Sequence, residues 1–450
     1  MTEVLKVRIK FKKRLVPAQI LAIGFATVIL IGTILLSLPV SSASGKATPL
    51  VDAIFTSTSA VCVTGLVTLN TAEYWSYFGK TVIIILIQIG GLGFMSFATL
   101  FALLLGKKIT LKERLIMQEA MNSFSLQGLV KLAKYILIFT FSVEGVGALF
   151  LSTKFIPNYG VIKGIYFSIF HSISAFCNAG FDLTGNSLIP YSQSVVVMLV
   201  ISGLIIIGGL GFTVWAEIYS LKDIKRMSLH SKLVISMTLI LVFGGWLLMY
   251  IFEMNNPATI ANMPLKGKVL SSFFAAVTPR TAGFNSISLA DMSMAGKFLT
   301  MILMFIGGSP GSTAGGVKTA TIGVLLITVI NIIRNKEETV IFERRISKDL
   351  IYKAFAVVSI GVGVVMLTTL ALCITETGAS FEYIAFEAFS AFGTVGLSLG
   401  LTSKLSFVGK LIVAITMYMG RVGPLTLIFA ISNKKKGSAV RYPEGKILVG

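Results

Sequence analysis

Four short stretches of this 450-residue chain share one pattern, a helix-forming run that stops at a glycine. They read Ser57-Thr-Ser-Ala-Val-Cys-Val-Thr-Gly-Leu66, Ser172-Ile-Ser-Ala-Phe-Cys-Asn-Ala-Gly-Phe181, Ala275-Ala-Val-Thr-Pro-Arg-Thr-Ala-Gly-Phe284 and Ala388-Phe-Ser-Ala-Phe-Gly-Thr-Val-Gly-Leu397. Their glycines, Gly65, Gly180, Gly283 and Gly396, are spaced by 115, 103 and 113 residues, which marks a fourfold internal repeat. A glycine at the end of a short helix opens backbone angles that few other residues adopt, so successive carbonyl oxygens can turn toward one axis. Four such loops form a ring able to replace the hydration shell of a monovalent cation. The expected lining is Val63, Thr64 and Gly65, then Asn178, Ala179 and Gly180, then Thr281, Ala282 and Gly283, then Thr394, Val395 and Gly396. Taken singly, each glycine would be an ordinary helix C-cap; four in register point to a cation filter.

A second glycine marker follows each filter glycine after 24 to 28 residues: Gly90-Gly-Leu-Gly93, Gly208-Gly-Leu-Gly211, Gly307-Gly-Ser-Pro310 and Gly420-Arg-Val-Gly423. In the third copy the marker grows into Ile306-Gly-Gly-Ser-Pro-Gly-Ser-Thr-Ala-Gly-Gly-Val-Lys-Thr319 between two apolar runs. Five glycines and a proline cannot hold a continuous helix. In hydrocarbon every freed N–H and C=O would cost several kcal/mol, so a water-filled pore is the expected remedy. The 37 residues from Lys297 to Ile333 would also make a helix roughly 55 Å long, well beyond the hydrocarbon thickness. The run Gly311 to Thr319 has the look of a nucleotide P-loop, but Val317 separates Gly316 from Lys318, no strand precedes it, and its flanks are apolar spans.

Four charged or titratable residues inside the repeats stand out by their alignment. Arg421 takes the second position of the glycine step, where the other copies have Gly91, Gly209 and Gly308. An arginine at that depth costs about 2.5–3.5 kcal/mol even on insertion scales, so it is expected to face the pore or a partner. Arg280 lies three residues before Gly283, points behind the filter, and needs an acceptor, with Glu387 the first candidate and Asp182 or water the alternatives. Arg280 and Glu387 are therefore read as filter support. His171 aligns with Glu387 and reads as a packed pore-helix residue more than a proton sensor.

The elements that must position these residues are membrane helices. The chain is 55% hydrophobic and 13% charged, and its apolar runs are long enough to cross a bilayer. The runs are Val16 to Leu38, Thr81 to Leu105, Leu132 to Phe155, Val195 to Tyr219, Leu233 to Phe252, Phe298 to Ile333, Tyr352 to Ile374 and Phe407 to Ser432, eight expected spans. The first is too long for the apolar core of a secretory signal and reads as a retained helix. Nothing outside them is long enough for a soluble nucleotide-binding or catalytic domain. The net charge of +20 gathers in short loops, at Lys6 to Arg14, Lys107 to Arg114, Lys222 to Arg226, Arg334 to Arg345 and Lys434 to Lys436. That is the positive-inside pattern rather than a nucleic-acid surface, and it puts both termini in the cytoplasm. Cys62, Cys177 and Cys373 lie in apolar surroundings without metal-ligand spacing, and His171 and His230 have no spaced companions, so a metal or acid–base enzyme is not expected.

Each unit is helix, re-entrant segment, helix, and so crosses twice; successive units enter from the same side, and four parallel copies close around an axis along the membrane normal. The expected division is a cytoplasmic N-terminus 1–15, repeat 1 at 16–106, repeat 2 at 131–220, repeat 3 at 230–333 with the loop 306–319, repeat 4 at 350–433, and a cytoplasmic tail 434–450. The fold class is an all-α membrane protein with four helix–pore-loop–helix repeats around a pseudo-fourfold pore.

The chain resembles the Trk/Ktr/HKT superfamily of potassium transporters, and most closely the KtrB-like membrane subunits of bacterial Ktr systems. The residues that carry the resemblance are Thr64-Gly65-Leu66, Asn178-Ala-Gly-Phe181, Pro279-Arg-Thr-Ala-Gly-Phe-Asn285, Gly393-Thr-Val-Gly-Leu397 and Arg441-Tyr-Pro-Glu-Gly445. The resemblance implies potassium uptake, with the four glycines lining the ion pathway. It makes the stretch containing Gly307, Gly308, Gly311, Ser312, Thr313, Gly315, Gly316 and Lys318 an intramembrane gate, with Arg421 obstructing the pathway beside it. It further implies a homodimer in the lipid bilayer and a separate octameric cytoplasmic ring of Rossmann-type (RCK) subunits binding ATP, ADP or NAD(H), with no nucleotide bound by this chain alone. In that family serine at the first filter position goes with sodium preference in some plant members; all four positions here are glycine. Sodium remains open as an activator. A tightly sodium-coupled symporter and a less selective monovalent cation channel are the alternatives; the former would need a carboxylate pair at mid-membrane, which the sequence does not offer plainly.

Overall fold

The structure, a computed structural model, describes residues 16–93, 115–116, 118, 129–220, 227–423 and 426. The N-terminal segment 1–15, the basic clusters at Lys107 to Arg114 and Lys222 to Arg226, parts 94–106 and 424–433 of the outer repeats, and the tail 434–450 with Arg441 to Gly445 lie outside the described residues, apart from position 426.

Helix dominates, and it recurs in the order long helix, short helix, interrupted helix. The long first helices are α1 (Pro17–Ser37), α4 (Leu129–Tyr159), α8 (Leu229–Glu253) and α12 (Lys348–Thr375). Each is apolar nearly all round, and residues such as Leu30, Leu149 and Leu367 point outward, a surface that needs hydrocarbon rather than water. The short helices α2 (Leu50–Val61), α5 (Val161–Phe176), α9 (Leu265–Val277) and α13 (Phe381–Gly393) dip into the bundle and end at the filter sequences. The third helices start at α3 (Tyr77–Leu92), α6 (Val195–Leu210), α10 (Met294–Phe305) and α14 (Phe407–Val422). Serine side chains cap three of these starts, Ser76 on Gly79 N, Ser293 on Gly296 N and Ser406 on Gly409 N.

Among the described residues four helices are long and apolar enough to cross a membrane, with one bent pair as a fifth. Of the eight expected spans, Thr81 to Leu105 and Phe407 to Ser432 run on outside the described residues, and Phe298 to Ile333 is interrupted by the inserted loop. The glycine steps end the helices that carry them. Helices α3, α6 and α14 stop at Leu92, Leu210 and Val422, and the next residues, Gly93, Gly211 and Gly423, all have φ near +80 to +95°. A left-handed glycine terminates a helix. After Gly211 the chain turns by 92° into α7 (Phe212–Ser220), and Trp215 Nε1 ties back to Ile207 O at 2.9 Å. Repeat 2 is thus broken as well as repeat 3, and the described part of the third helix ends at the same glycine in repeats 1 and 4. What is particular to the third is the inserted loop before α11 (Thr319–Ile333). A two-residue hairpin, Val340–Ile341 with Arg344–Arg345, joins repeats 3 and 4.

Neighbouring repeats are laced by ion pairs near the entrances of the short helices. Lys297 of α10 meets Glu382 of α13 at 2.8 Å, and Lys410 of α14 meets Asp52 of α2 at 2.7 Å. The second contact joins the fourth repeat to the first, and Tyr418 Oη donates to Ala22 O across the same junction.

Candidate functional site

The ends of the four short helices meet. In every repeat the residue two before the glycine and the glycine itself have positive φ: Val63 and Gly65, Asn178 and Gly180, Thr281 and Gly283, Thr394 and Gly396. The residue between them, Thr64, Ala179, Ala282 or Val395, does not. Alternating sign of φ turns successive peptide planes over, so consecutive carbonyls project to the same side instead of opposite sides. Four non-glycine residues of three side-chain types accepting left-handed backbone is a strained arrangement that surrounding structure must hold.

It is held from the short helices. The amides of Thr64, Ala179, Ala282 and Val395 donate to Ser59 O, Ser174 O, Thr278 O and Ser390 O at 2.7 to 2.9 Å. The hydroxyls add to this: Ser59 and Ser390 accept from Gly65 N and Gly396 N, while Ser174 and Thr278 donate to Phe181 O and Phe284 O. The sequence reading missed these four residues, although a serine six positions before the glycine in three repeats was a visible signal.

The loops close head to tail. A Cβ placed on Gly180 would stand 2.7 Å from Ala282 O, and one on Gly283 would stand 2.5 Å from Val395 O. One on Gly65 would overlap Ala179 O, and one on Gly396 would overlap Thr64 O. Each glycine therefore abuts the carbonyl before the next glycine, in the order 1, 2, 3, 4 and back to 1. The hydroxyls of Thr64, Thr281 and Thr394 are buried here without a hydrogen-bond partner. On one face of the ring lies a polar cavity of about 400 Å³, reached by all four glycines and by residues that follow them, among them Asp182, Asn186, Ser398 and Thr402.

The inserted loop covers the opposite face. A Cβ on Gly315 would overlap Thr394 Oγ1, and one on Gly307 would stand 3.3 Å from Thr281 Cγ2. Its neck is closed by Gly307 N to Val317 O at 2.9 Å, Thr319 N to Gly308 O at 3.0 Å, and Ser309 Oγ against Thr319 Oγ1 at 3.0 Å. Its body is tied to the broken helix of repeat 2: Ser309 N to Gly209 O, Thr313 N to Gly208 O, Thr313 Oγ1 to Phe176 O, and Phe212 N to Gly311 O. Ser312 Oγ accepts from Ala314 N at 3.3 Å, and Gly316 takes a positive φ against Gly393. Protein groups satisfy these amides and carbonyls. The reason is that α6 ends there with unused carbonyls of its own.

Two cations hold consecutive carbonyls of the loop. Arg421 donates to Thr313 O and, from its other nitrogen, to Gly90 O and Gly91 O at the end of α3. Lys318 Nζ donates to Ala314 O at 2.5 Å. Arg421 thus bridges the fourth, third and first repeats across the axis.

Arg280 and Glu387 do not pair: among the described residues no ion pair joins them. Glu387 is spent on Ser398 Oγ and Thr402 Oγ1, at 2.8 and 2.5 Å, bracing the turn that follows Gly396. Asp182 is spent on Thr184, Gly185 and Ser187. Arg280, 3% exposed, reaches Thr238 Oγ1 at 3.4 Å, toward the first helix of its own repeat. His171 is fully buried, with Nδ1 2.8 Å from Phe167 O and its ring packed against Phe155 and Phe284.

With that geometry in view, comparisons with known proteins are specific. The family profile described as TrkH, cation transport protein, matches residues 11–441. The chain belongs to the TrkH cation transport family. It is a multi-pass membrane transporter and not an enzyme. It is 46% identical to the potassium/sodium uptake protein NtpJ of Enterococcus hirae, over 98% of this chain and 99% of that one. It is also 46% identical to Ktr system potassium uptake protein B of Bacillus subtilis, over 97% of each. The crystal structure of the potassium transporter TrkH from Vibrio parahaemolyticus superposes with a TM-score of 0.71 at 18% identity, covering 91% of this chain and 85% of that one. That likeness speaks to the fold, four repeats around one axis.

Proposed function

We propose that this chain is the pore subunit of a potassium uptake system of the cytoplasmic membrane, with both termini on the cytoplasmic side. Potassium enters the 400 Å³ vestibule, exchanges its water for the carbonyls and orphan hydroxyls of the ring, and passes inward when the loop yields. The observation that carries this is the head-to-tail ring of four glycines and four carbonyls, in which the atoms nearest each glycine are backbone atoms of the next loop. The names of the 46% identical relatives, potassium and potassium/sodium uptake proteins, point to the same ion.

The loop from Gly307 to Lys318 and the guanidinium of Arg421 act as the gate. A fixed positive charge in a narrow low-dielectric passage repels a cation that must pass within a few ångströms. Because Arg421 grips the loop and α3 together, opening requires those three contacts to release. Control comes from a separate cytoplasmic nucleotide-binding subunit, which the word system in the Bacillus subtilis relative's name suggests; the pore subunit acts as a homodimer. A second reading, with sodium coupled or co-conducted, is favoured by the potassium/sodium name of the Enterococcus hirae relative.

The test is growth of a potassium-uptake-deficient strain at low potassium, with the chain and its cytoplasmic partner supplied, and then flux through Arg421→Ala in proteoliposomes. Growth is expected to return, and removal of the guanidinium to raise flux by on the order of tenfold, the effect of losing a charge-assisted contact. No growth overturns the function; unchanged flux from well-folded Arg421→Ala overturns the gate.

A further inference from the structure

Behind the ring, between repeats 1 and 2, lies a polar cluster that the pathway itself does not use. Glu144 sits midway along α4 and is 4% exposed, and Gln88 sits in the last turns of α3 and is 7% exposed. Gln88 Nε2 donates to both carboxyl oxygens of Glu144, at 3.1 and 3.2 Å. Cys177 Sγ stands 3.5 Å from Gln88 Oε1 and 3.9 Å from Glu144 Oε1, and Cys177 is followed by Asn178 of the ring. Among the described residues Glu144 has no ion-pair partner. A carboxyl group at mid-membrane is expensive to keep and by default marks function.

The internal repeat sharpens this. Ser57 Oγ donates to Ile29 O and Ser172 Oγ donates to Glu144 O, so Glu144 occupies the position of Ile29. Gly32, Gly147 and Gly245 pack on Leu86, Leu204 and Leu303, and Thr368 meets Thr416 at the matching place in repeat 4, so repeats 3 and 4 have buried Val242 and Val365 there. The positions equivalent to Gln88 hold Ile206, Phe305 and Tyr418. Glu144 is the one carboxylate of its set and Gln88 the one amide of its set, the two copies are adjacent, and the two side chains touch.

What the pair holds is the end of α3. Two and three residues beyond Gln88 lie Gly90 and Gly91, whose carbonyls receive Arg421. Gly91 is pressed against Cys177, since a Cβ there would stand 2.7 Å from its sulfur. A helix's last carbonyls have no partner within the helix, so their direction depends on what anchors the final turn. We propose that Glu144 and Gln88 are positioning residues that fix the last turn of α3, so that its carbonyls meet Arg421 and keep the loop latched below the ring. This rests on reading Arg421 and the loop as the gate.

The decisive variant is Gln88→Leu with Glu144→Leu, which installs the apolar character of the other repeats. A well-packed apolar replacement of a buried polar pair is often neutral for stability. The full chain is reconstituted in proteoliposomes, and potassium flux is followed beside the thermal midpoint, with Glu144→Ala and Glu144→Gln in parallel. The double variant is expected to fold as the parent does and to raise basal flux by on the order of tenfold, the fold-change of one lost hydrogen bond to a buried carboxylate. Glu144→Gln still accepts from Gln88 Nε2, so it is expected to restore restraint. Added to Arg421→Ala, the double variant is expected to change flux by less than about twofold, because the latch it supports is already gone. A purely structural pair would shift the thermal midpoint in both backgrounds and leave flux alone. Parental flux from the folded double variant, or an equal rise in both backgrounds, overturns the proposal. Failure of the gate reading shows itself separately, as parental flux from Arg421→Ala alone.

Discussion

At the scale of single residues the ring is defined by missing atoms. Gly283 has φ of +78° and a carbonyl, Val395 O, 2.5 Å from where its Cβ would be. A serine there must push that oxygen aside or lift its own loop, and either change alters the spacing on which ion discrimination depends. Gly283→Ser is therefore expected to reduce the preference for potassium over sodium by on the order of tenfold, read as the ratio of rubidium to sodium flux. Gly203→Ala, in α6 with open space at its Cβ, serves as the control and is expected to leave the ratio unchanged. The four filter glycines were legible because each repeat states the pattern again. Arg280 and Glu387 were misjudged as partners because sequence position gives no direction for a buried side chain: one turns back to Thr238, the other to Ser398 and Thr402. Glu144 was overlooked for a related reason. Its partner Gln88 is 56 residues away in an apolar run, and a lone acid among apolar residues has no spacing to interpret.

At the scale of elements, the packing of repeats depends on lysines ten residues before the glycine step. Lys80, Lys297 and Lys410 occupy that place in repeats 1, 3 and 4, and repeat 2 has Met198. Lys297 and Lys410 reach the first turn of the next short helix, where Glu382 and Asp52 wait, while Lys80 finds Ala72 O at 2.6 Å. An acid in the first turn of a helix is favoured by the helix dipole, so each pair fixes where a short helix begins. Lys410 and Asp52 are largely shielded, with side chains 19% and 12% exposed, so Lys410→Met strands a carboxylate. The expected cost is about 1–3 kcal/mol, seen as a lower thermal midpoint, with partial recovery when Asp52→Asn is added. The repeat order and the short helices were readable from glycine spacing. The breaks at Gly93, Gly211 and Gly423 were not, because Ile-Gly-Gly-Leu-Gly reads as apolar helix until a left-handed residue ends it.

At the scale of the whole molecule, uptake through such a pore needs no chemistry in this chain. A potential of 100 mV, negative inside, is worth about 2.3 kcal/mol per charge, enough for a concentration ratio of about fifty. Proteoliposomes holding the open pore are expected to stop accumulating potassium at that ratio; a higher plateau on adding an inward sodium gradient would favour the sodium-coupled reading. The ring that the ion crosses has four joints. Three of them, between repeats 1 and 2, 2 and 3, and 3 and 4, are backed by the chain itself. The fourth is held, among the described residues, by Lys410 on Asp52, Tyr418 on Ala22 O, Arg421 on Gly90 O and Gly91 O, and Gly396 against Thr64 O. A hoop with one unstitched joint dilates there first, and the helix on one side of that joint is α14, which carries Arg421. On the proposed gate reading, spreading the seam and withdrawing the guanidinium are a single movement.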